Sequence, residues 1–250
     1  MSFAQVLEPM LAAYHQQDTF SGAVLIQQDG HTLFAQAYGY AERRWHIANN
    51  LDTRFRIASI GKMFTAVAIL QLVEQETLTL ETPLAKVLEH LPNTIPTSTT
   101  IHQLLTMTAG IPDWFDEEND DWDVLCTMHP LYLLRRNRDY LPLLANKTSA
   151  SSPGDYHYNN ASYILLGLVI ETVTGQDYTD YIREHIFAKA KMTHADFLAV
   201  DDINPHVATG YTQRIDDAGK TLWHSNIYRV TAKGAADGGS SATVSDLMPL

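Results

Sequence analysis

A serine and a lysine three positions apart, Ser59-Ile60-Gly61-Lys62, are the residues of this sequence best spaced for nucleophilic chemistry. A serine hydroxyl is a poor nucleophile at neutral pH, so acyl transfer needs a proton acceptor held against it and N–H donors where an oxyanion forms. If Ser59 opens a helix, Lys62 lies one turn further on along the same face, where its amine reaches the hydroxyl. The helix N-terminus then adds a favourable field and the Ser59 N–H itself. Taken alone the pattern is common, because Ser and Lys are both abundant, and a serine N-cap followed by a solvated lysine is the plain alternative. The surroundings weigh against it. Residues 60–73, IGKMFTAVAILQLV, are apolar on nearly every face, which predicts a centrally buried helix. An unpaired ammonium beside such a core would be costly.

A second polar group stands at Tyr158-Asn159-Asn160, just after Pro153-Gly154 and at the start of another apolar run. A phenol beside an ammonium can shuttle a proton, first as general base and then as general acid. Asn160 can both donate to and accept from an amide substrate. The plain alternative is a packed turn tyrosine and an asparagine cap.

These groups need elements to hold them. Apolar residues Phe3, Val6, Leu7, Met10, Leu11 and Tyr14 recur at helical spacing and predict an opening amphipathic helix, with Pro9 early in it. Residues 23–28 and 32–40 flank Asp29-Gly30 and predict a hairpin that enters a main sheet. Residues 78–91 read as a connection with short helical pieces, and 101–107 as a short helix stopped near Gly110 and Pro112. Residues 113–123 are crowded with carboxylates and carry Trp114 and Trp122; they read as a mobile, solvated rim loop, since the spacing of a calcium loop is absent. Helices are predicted at 160–174, capped by Gly175, and at 178–188. Strand-like residues return at 207–211 and 221–230, and a glycine turn at 235–241 leads to Ser245-Asp246 as the N-cap of a last helix.

Composition narrows the function classes. With 250 residues and 45% hydrophobic content the chain can bury a sizeable core. A formal net charge of -12 would repel a phosphate backbone, so nucleic acid is not an expected partner. The apolar stretches fall short of the roughly 20 residues that span a bilayer, and the first residues lack a basic, unbroken apolar leader. A cytoplasmic location is the expectation, with a periplasmic or secreted one if a leader was trimmed. The single Cys126 reads as an inert core thiol. No H-E-x-x-H, G-x-S-x-G or Walker-type loop occurs, and His102, His157 and His185 read as structural or exposed.

Four ordered blocks carry a family resemblance. FRIASIGKMFTAVAILQLVEQETLTLETPLAKVLEHLP (55–92), LLTMTAGIPDW (104–114), PGDYHYNNASYILLGLVIETVTG (153–175) and GGSSATVSDL (238–247) resemble those of the class C β-lactamase, D,D-peptidase and esterase family. The resemblance implies Ser59 as nucleophile, Lys62 as its ammonium partner, Tyr158 as acid and base, and Asn160 as a substrate-contacting amide. It implies an α+β fold, an antiparallel sheet flanked by helices (1–85 and 200–250) with an inserted mainly helical domain (86–199) and the site in the cleft between. It implies hydrolysis of an amide or ester (a β-lactam, a D-Ala-type peptide or a carboxylic ester) through an acyl-serine, with no cofactor or metal, the partner being a small-molecule or peptide substrate.

The pattern also has departures. The family's third motif, K-T-G or H-x-G, lies on a strand beyond the last block, and Lys233-Gly234, upstream of it, is no substitute. The expectation is a fragment or truncated product with a sheet incomplete at its C-terminal end, and a catalytically silent relative that binds a peptide or partner is the alternative function. Glu76 stands where the family has glycine, and Met107 and Ala109 replace the His and Ser of H-T-S-G.

Overall fold

Asp29 and Gly30 both adopt positive φ, 51° and 77°, which is the backbone a two-residue hairpin turn requires. They join strand β1 (Gly22–Gln28) to β2 (His31–Tyr38) in the computed structural model, which describes residues 3–248. Helix α1 (Phe3–Gln16) precedes this hairpin and packs on β2. Short strands β3 (Tyr40–Glu42) and β4 (Ile47–Ala48) pair next, and β5 (Phe55–Arg56) leads to the helix that carries Lys62, α2 (Gly61–Glu74).

The regular elements in the middle of the chain are helices. Helices α3 (Ile101–Leu105), α4 (Trp122–Met128) and α5 (Leu141–Leu144) are short, α6 (Asn160–Thr174) is the longest of this region, and α7 (Tyr178–Ile182) runs into a π-type turn at Arg183–Phe187. Gly175 ends α6 at φ 71°, the left-handed cap that glycine adopts without strain. The chain returns through hairpin β6 (Tyr211–Ile215) and β7 (Thr221–Ser225), and β8 (Ser241–Ala242) pairs with β5.

The core lies where α6 meets α2, α3 and α7. Ile164, Leu165, Leu166, Val169 and Ile170 of α6 and Phe64, Ala68, Ile69 and Leu72 of α2 are buried there. Gly167 lets a loop approach α6 closely: a Cβ at this position would lie 2.4 Å from Ala236 Cβ. That approach fixes the backbone of residues 235–237, with Ala236 N–H donating to Asn137 Oδ1 at 3.0 Å and Ala236 O accepting from Thr65 Oγ1 at 2.6 Å.

Four expectations are corrected. Among the described residues the hairpins do not merge into one main sheet; the strands pair as four separate two-stranded antiparallel sheets. Helix α2 is not enclosed all round, since Ile60, Met63, Val67 and Leu70 are exposed along one side; hydropathy records that a face is apolar, not that a neighbour covers it. Residues 207–210 precede their strand rather than belong to it, with Val207 making a single bridge to Arg54. The turn after β8 is capped by Thr243, whose Oγ1 accepts from Asp246 N–H at 3.2 Å while Thr243 N–H donates to Asp246 Oδ2 at 2.9 Å. Ser245 is not that cap, and a helix beyond it would extend into residues 249–250, outside those described.

Candidate active site

Ser59 stands in one tight turn, Ala58–Ile60, between β5 and α2. The turn is held from the β8 side: Ile57 N–H donates to Ser240 O at 2.9 Å, and Gly239 N–H donates to Ala58 O at 3.1 Å. Two glycines make the contact possible. A Cβ on Gly238, at φ 145°, would lie 2.4 Å from Ala58 O, and one on Gly61 would lie 2.8 Å from Gly238 Cα. Ala58 itself takes φ 45°, an unfavourable backbone for a residue with a Cβ and the kind of strain that well-supported sites retain.

This turn leaves Ser59 exposed while Lys62, one helical turn on, is buried at 6% exposure. The Lys62 ammonium donates to Ser59 Oγ at 3.0 Å, Asn160 Oδ1 at 2.8 Å and Asp237 O at 2.7 Å. Three donors meet three acceptors, so the buried charge is fully satisfied. Tyr158 reaches the same serine from α6's side, its hydroxyl 2.6 Å from Ser59 Oγ, and its ring lies 4.9 Å from Lys62 Nζ. All four residues singled out in the sequence therefore converge. Asn160 sits differently from expectation, however. It lines the cleft, but its Oδ1 faces Lys62 and its Nδ2 donates to Asp113 Oδ2 at 3.2 Å and Phe115 O at 3.0 Å, so its amide is committed inward.

The N-terminus of α6 is organised by two acceptors. Asn159 caps it, taking Ser162 N–H at 2.7 Å. Asp113 takes Asn160 N–H at 2.7 Å and Ala161 N–H at 2.8 Å. Asp113 is buried, which corrects its inclusion in a solvated rim, while Glu117, Glu118, Asp121 and Asp123 further along the segment are exposed. The neighbouring carboxylates are also engaged: Asp116 accepts from Asn119 and pairs with His157 at 3.0 Å, and Asp121 caps α4.

Burial pushes the Asp113 carboxyl up to about 6, with the nearby Asp237 adding to the rise. Burial likewise pushes Asp237 up to about 6, against the pull of Lys62, the Trp114 indole at 3.0 Å and Arg56. Arg56 is drawn down from its usual range by burial and donates to Thr231 O at 2.7 Å. Asp113, Trp114 and Asp237 were missed as site residues in the sequence. The signal available was positional: Asp113-Trp114 ends the GIPDW block, and Asp237 directly precedes Gly238-Gly239.

Ser59 opens onto a cleft of about 1210 Å³. Phe115 and Trp122 line one wall, and Phe20, Arg43, Tyr211 and Trp223 the other. Cys126 lies half-buried against the core and is not among the residues that line the cleft, with burial raising its thiol.

The chain is similar to known proteins in family and fold. The family described as Beta-lactamase matches residues 3–250. A putative penicillin-binding protein, PbpX, of Bacillus subtilis is 31% identical over 201 residues, covering 80% of this chain and 47% of the relative. The crystal structure of a penicillin-binding protein from Bacillus halodurans superposes with a TM-score of 0.85 at 39% identity, covering 96% of this chain and 72% of that one. The octameric penicillin-binding protein homologue of Pyrococcus abyssi superposes at 0.79 with 28% identity, covering 99% and 55%. The chain thus spans about half the length of the curated relative it matches.

Proposed function

Because the chain belongs to the β-lactamase family, we propose that it is a serine hydrolase that cleaves an amide or ester through an acyl-serine intermediate at Ser59. The α+β fold is that of β-lactamases and transpeptidases. One observation carries the mechanism: Ser59 Oγ lies between Lys62 Nζ at 3.0 Å and Tyr158 Oη at 2.6 Å.

With all three Lys62 protons directed at acceptors, Lys62 acts as an ammonium that stabilises anionic charge on Ser59 and Tyr158. Tyr158 first gives its phenolic proton to bulk water, the phenolate being stabilised by the Lys62 charge, and then receives the Ser59 proton as Oγ attacks the carbonyl carbon. The oxyanion meets the Ser59 N–H in the turn that leads into α2. Collapse breaks the carbon–nitrogen or carbon–oxygen bond, and Tyr158 returns the proton to the leaving group. Water, deprotonated by the same phenolate, then attacks the acyl carbon, and Tyr158 returns that proton to Ser59 Oγ as the carbon–Oγ bond breaks. Asn160 enters this reading as the group that holds Lys62, its amide being turned away from solvent.

The test is covalent. Incubation with a fluorescent penicillin or a fluorophosphonate should label the protein, with the adduct mapped to Ser59 by peptide mass and lost in Ser59→Ala. Absence of label in the wild-type chain and in a version extended to its relatives' length would sink the hydrolase reading in favour of a binding protein.

A further inference from the structure

Lys62 has three acceptors, and only one is the nucleophile. The other two, Asn160 Oδ1 and Asp237 O, decide where the ammonium points. Both belong to residues gripped by adjacent members of a single loop. Asp113 accepts Asn160 N–H at 2.7 Å and Asn160 Nδ2 at 3.2 Å, and Trp114 donates its indole N–H to Asp237 Oδ2 at 3.0 Å.

The first grip sets the sense of the Asn160 amide. Its Nδ2 end faces two acceptors, Asp113 Oδ2 and Phe115 O, so a flip would set Oδ1 against both and leave Lys62 facing an NH₂. The second grip holds the Asp237 side chain while the Asp237 carbonyl takes Lys62, fixing both ends of that residue. The two grips are tied together. Trp114 N–H donates to Asp113 Oδ1 at 2.7 Å, and the indole is wedged edge-on against Tyr140 and Trp122, with centroids 5.0 and 6.2 Å away.

We propose that Asp113 and Trp114 are paired positioning residues, a two-armed clamp that aims the Lys62 ammonium at Ser59 through Asn160 on one side and Asp237 on the other. Neither touches Ser59; each acts through a group bonded to Lys62. Burial pushes both carboxyls up to about 6, so keeping two anions here opposes folding at neutral pH, and orienting Lys62 accounts for their presence.

The clamp rests on Ser59 being the nucleophile, and its test has a readout that does not. In the full chain labelled with ¹⁵N-lysine, the Lys62 Nζ resonance is identified by its loss in Lys62→Gln, and Ser59 acylation by a fluorophosphonate is timed in parallel. Trp114→Phe deletes one N–H and keeps the ring; it should move the Lys62 resonance and slow acylation about tenfold or more, the effect of one hydrogen bond to a charged acceptor. Asp113→Asn should slow it about 100-fold by misplacing the amine. The double variant should lose less than the product of the two, because both act through Lys62.

A Lys62 resonance unmoved in Trp114→Phe overturns the clamp whatever the labelling rate does, and so does a fully multiplicative double variant. If the wild type is not labelled at all, the hydrolase reading fails while the resonance still decides the clamp. Where Asp113→Asn does not fold, Asp113→Glu replaces it; it keeps the charge but shifts the grip by a methylene, so an unmoved resonance there also overturns the clamp.

Discussion

On one face of α2, Phe64, Thr65, Ala68, Ile69 and Leu72 are buried, and each polar group there has a partner, down to Thr65 Oγ1 bonded to both Ala236 O and Tyr178 Oη. On the other face Ile60, Met63, Val67 and Leu70 stand exposed; elsewhere α1 has no buried residue, and the buried hydroxyls of Ser240 and Ser241 have no partner among the described residues. The same helix therefore separates a finished half of the molecule from an open one. Ser59 sits on the boundary. Its approach from the α6 side, through Lys62, Tyr158, Asn160 and the loop of Asp113, is organised to within hydrogen-bonding distance, whereas the opposite cleft wall contributes aromatic and arginine side chains that do not contact it. The lesson is that preorganisation here is one-sided, and that acylation should depend steeply on one wall and weakly on the other.

The largest effect should come from testing that asymmetry directly. Tyr158→Phe removes the proton carrier and should lower the rate of Ser59 acylation by about 10²- to 10⁴-fold. Arg43→Ala on the far wall, where the guanidinium lies 3.5 Å over the Trp223 ring and pairs with Asp18, should leave that rate within about threefold. Stopped-flow labelling of both variants measures the contrast, and comparable losses would break it.

Stability should divide the same way. Ile69→Ala or Leu166→Ala deletes a fully buried side chain and should cost about 2–5 kcal/mol in denaturant unfolding. Met63→Ala, next in sequence to Lys62 but on the exposed face, should cost under about 1 kcal/mol. Equal costs would mean that the outer face of α2 is covered in solution.

Acidification sets the two properties of the finished half against each other. An unfolded aspartate titrates near 4, while Asp113 and Asp237 in the fold take up protons at about 6. Between those values the folded state holds protons that the unfolded chain has released, so these two groups add stability as pH falls from 7 towards 4 and lose it again as pH rises through 6. Over the same descent a protonated Asp113 can no longer accept all four of the N–H groups it holds, from Trp114, Ala161 and two from Asn160, so acylation should fall. Melting temperature and labelling rate followed from pH 7 to 5 should therefore diverge, and Asp113→Asn with Asp237→Asn together should flatten that part of the melting curve relative to wild type.

What could be read from the sequence follows the same divide. Asp29-Gly30 specified its turn because few residues tolerate that backbone. The bounds of α6 were legible because Asn159, Asn160 and Gly175 are chemically suited to helix ends. The convergence of Ser59, Lys62, Tyr158 and Asn160 was legible from a four-block pattern. Asp113 was not, since a carboxylate that accepts buried N–H groups looks in sequence like the solvated ones that follow it. Asp237 was hidden likewise, because the groups it engages are over 100 positions away. The exposed side of α2 was misread as enclosed because periodicity reports apolarity and not the covering partner.

The smallest effect compares how the two long helices end. Both demand a left-handed residue: α6 supplies Gly175 at φ 71°, but α2 supplies Glu76 at φ 59°. The bonds at α2 are those of a glycine-type termination, with Thr77 N–H donating to Leu72 O at 3.0 Å and Glu76 N–H to Val73 O at 3.0 Å. A side chain in that conformation costs about 1 kcal/mol relative to glycine. Glu76→Gly should therefore stabilise the chain by about 1 kcal/mol, and Gly175→Ala should destabilise it by a similar amount. Chemical denaturation of the pair reads both signs at once. If Glu76→Gly instead destabilises, the Glu76 side chain makes a compensating contact on the open side of α2, and that side is more ordered than its exposure indicates.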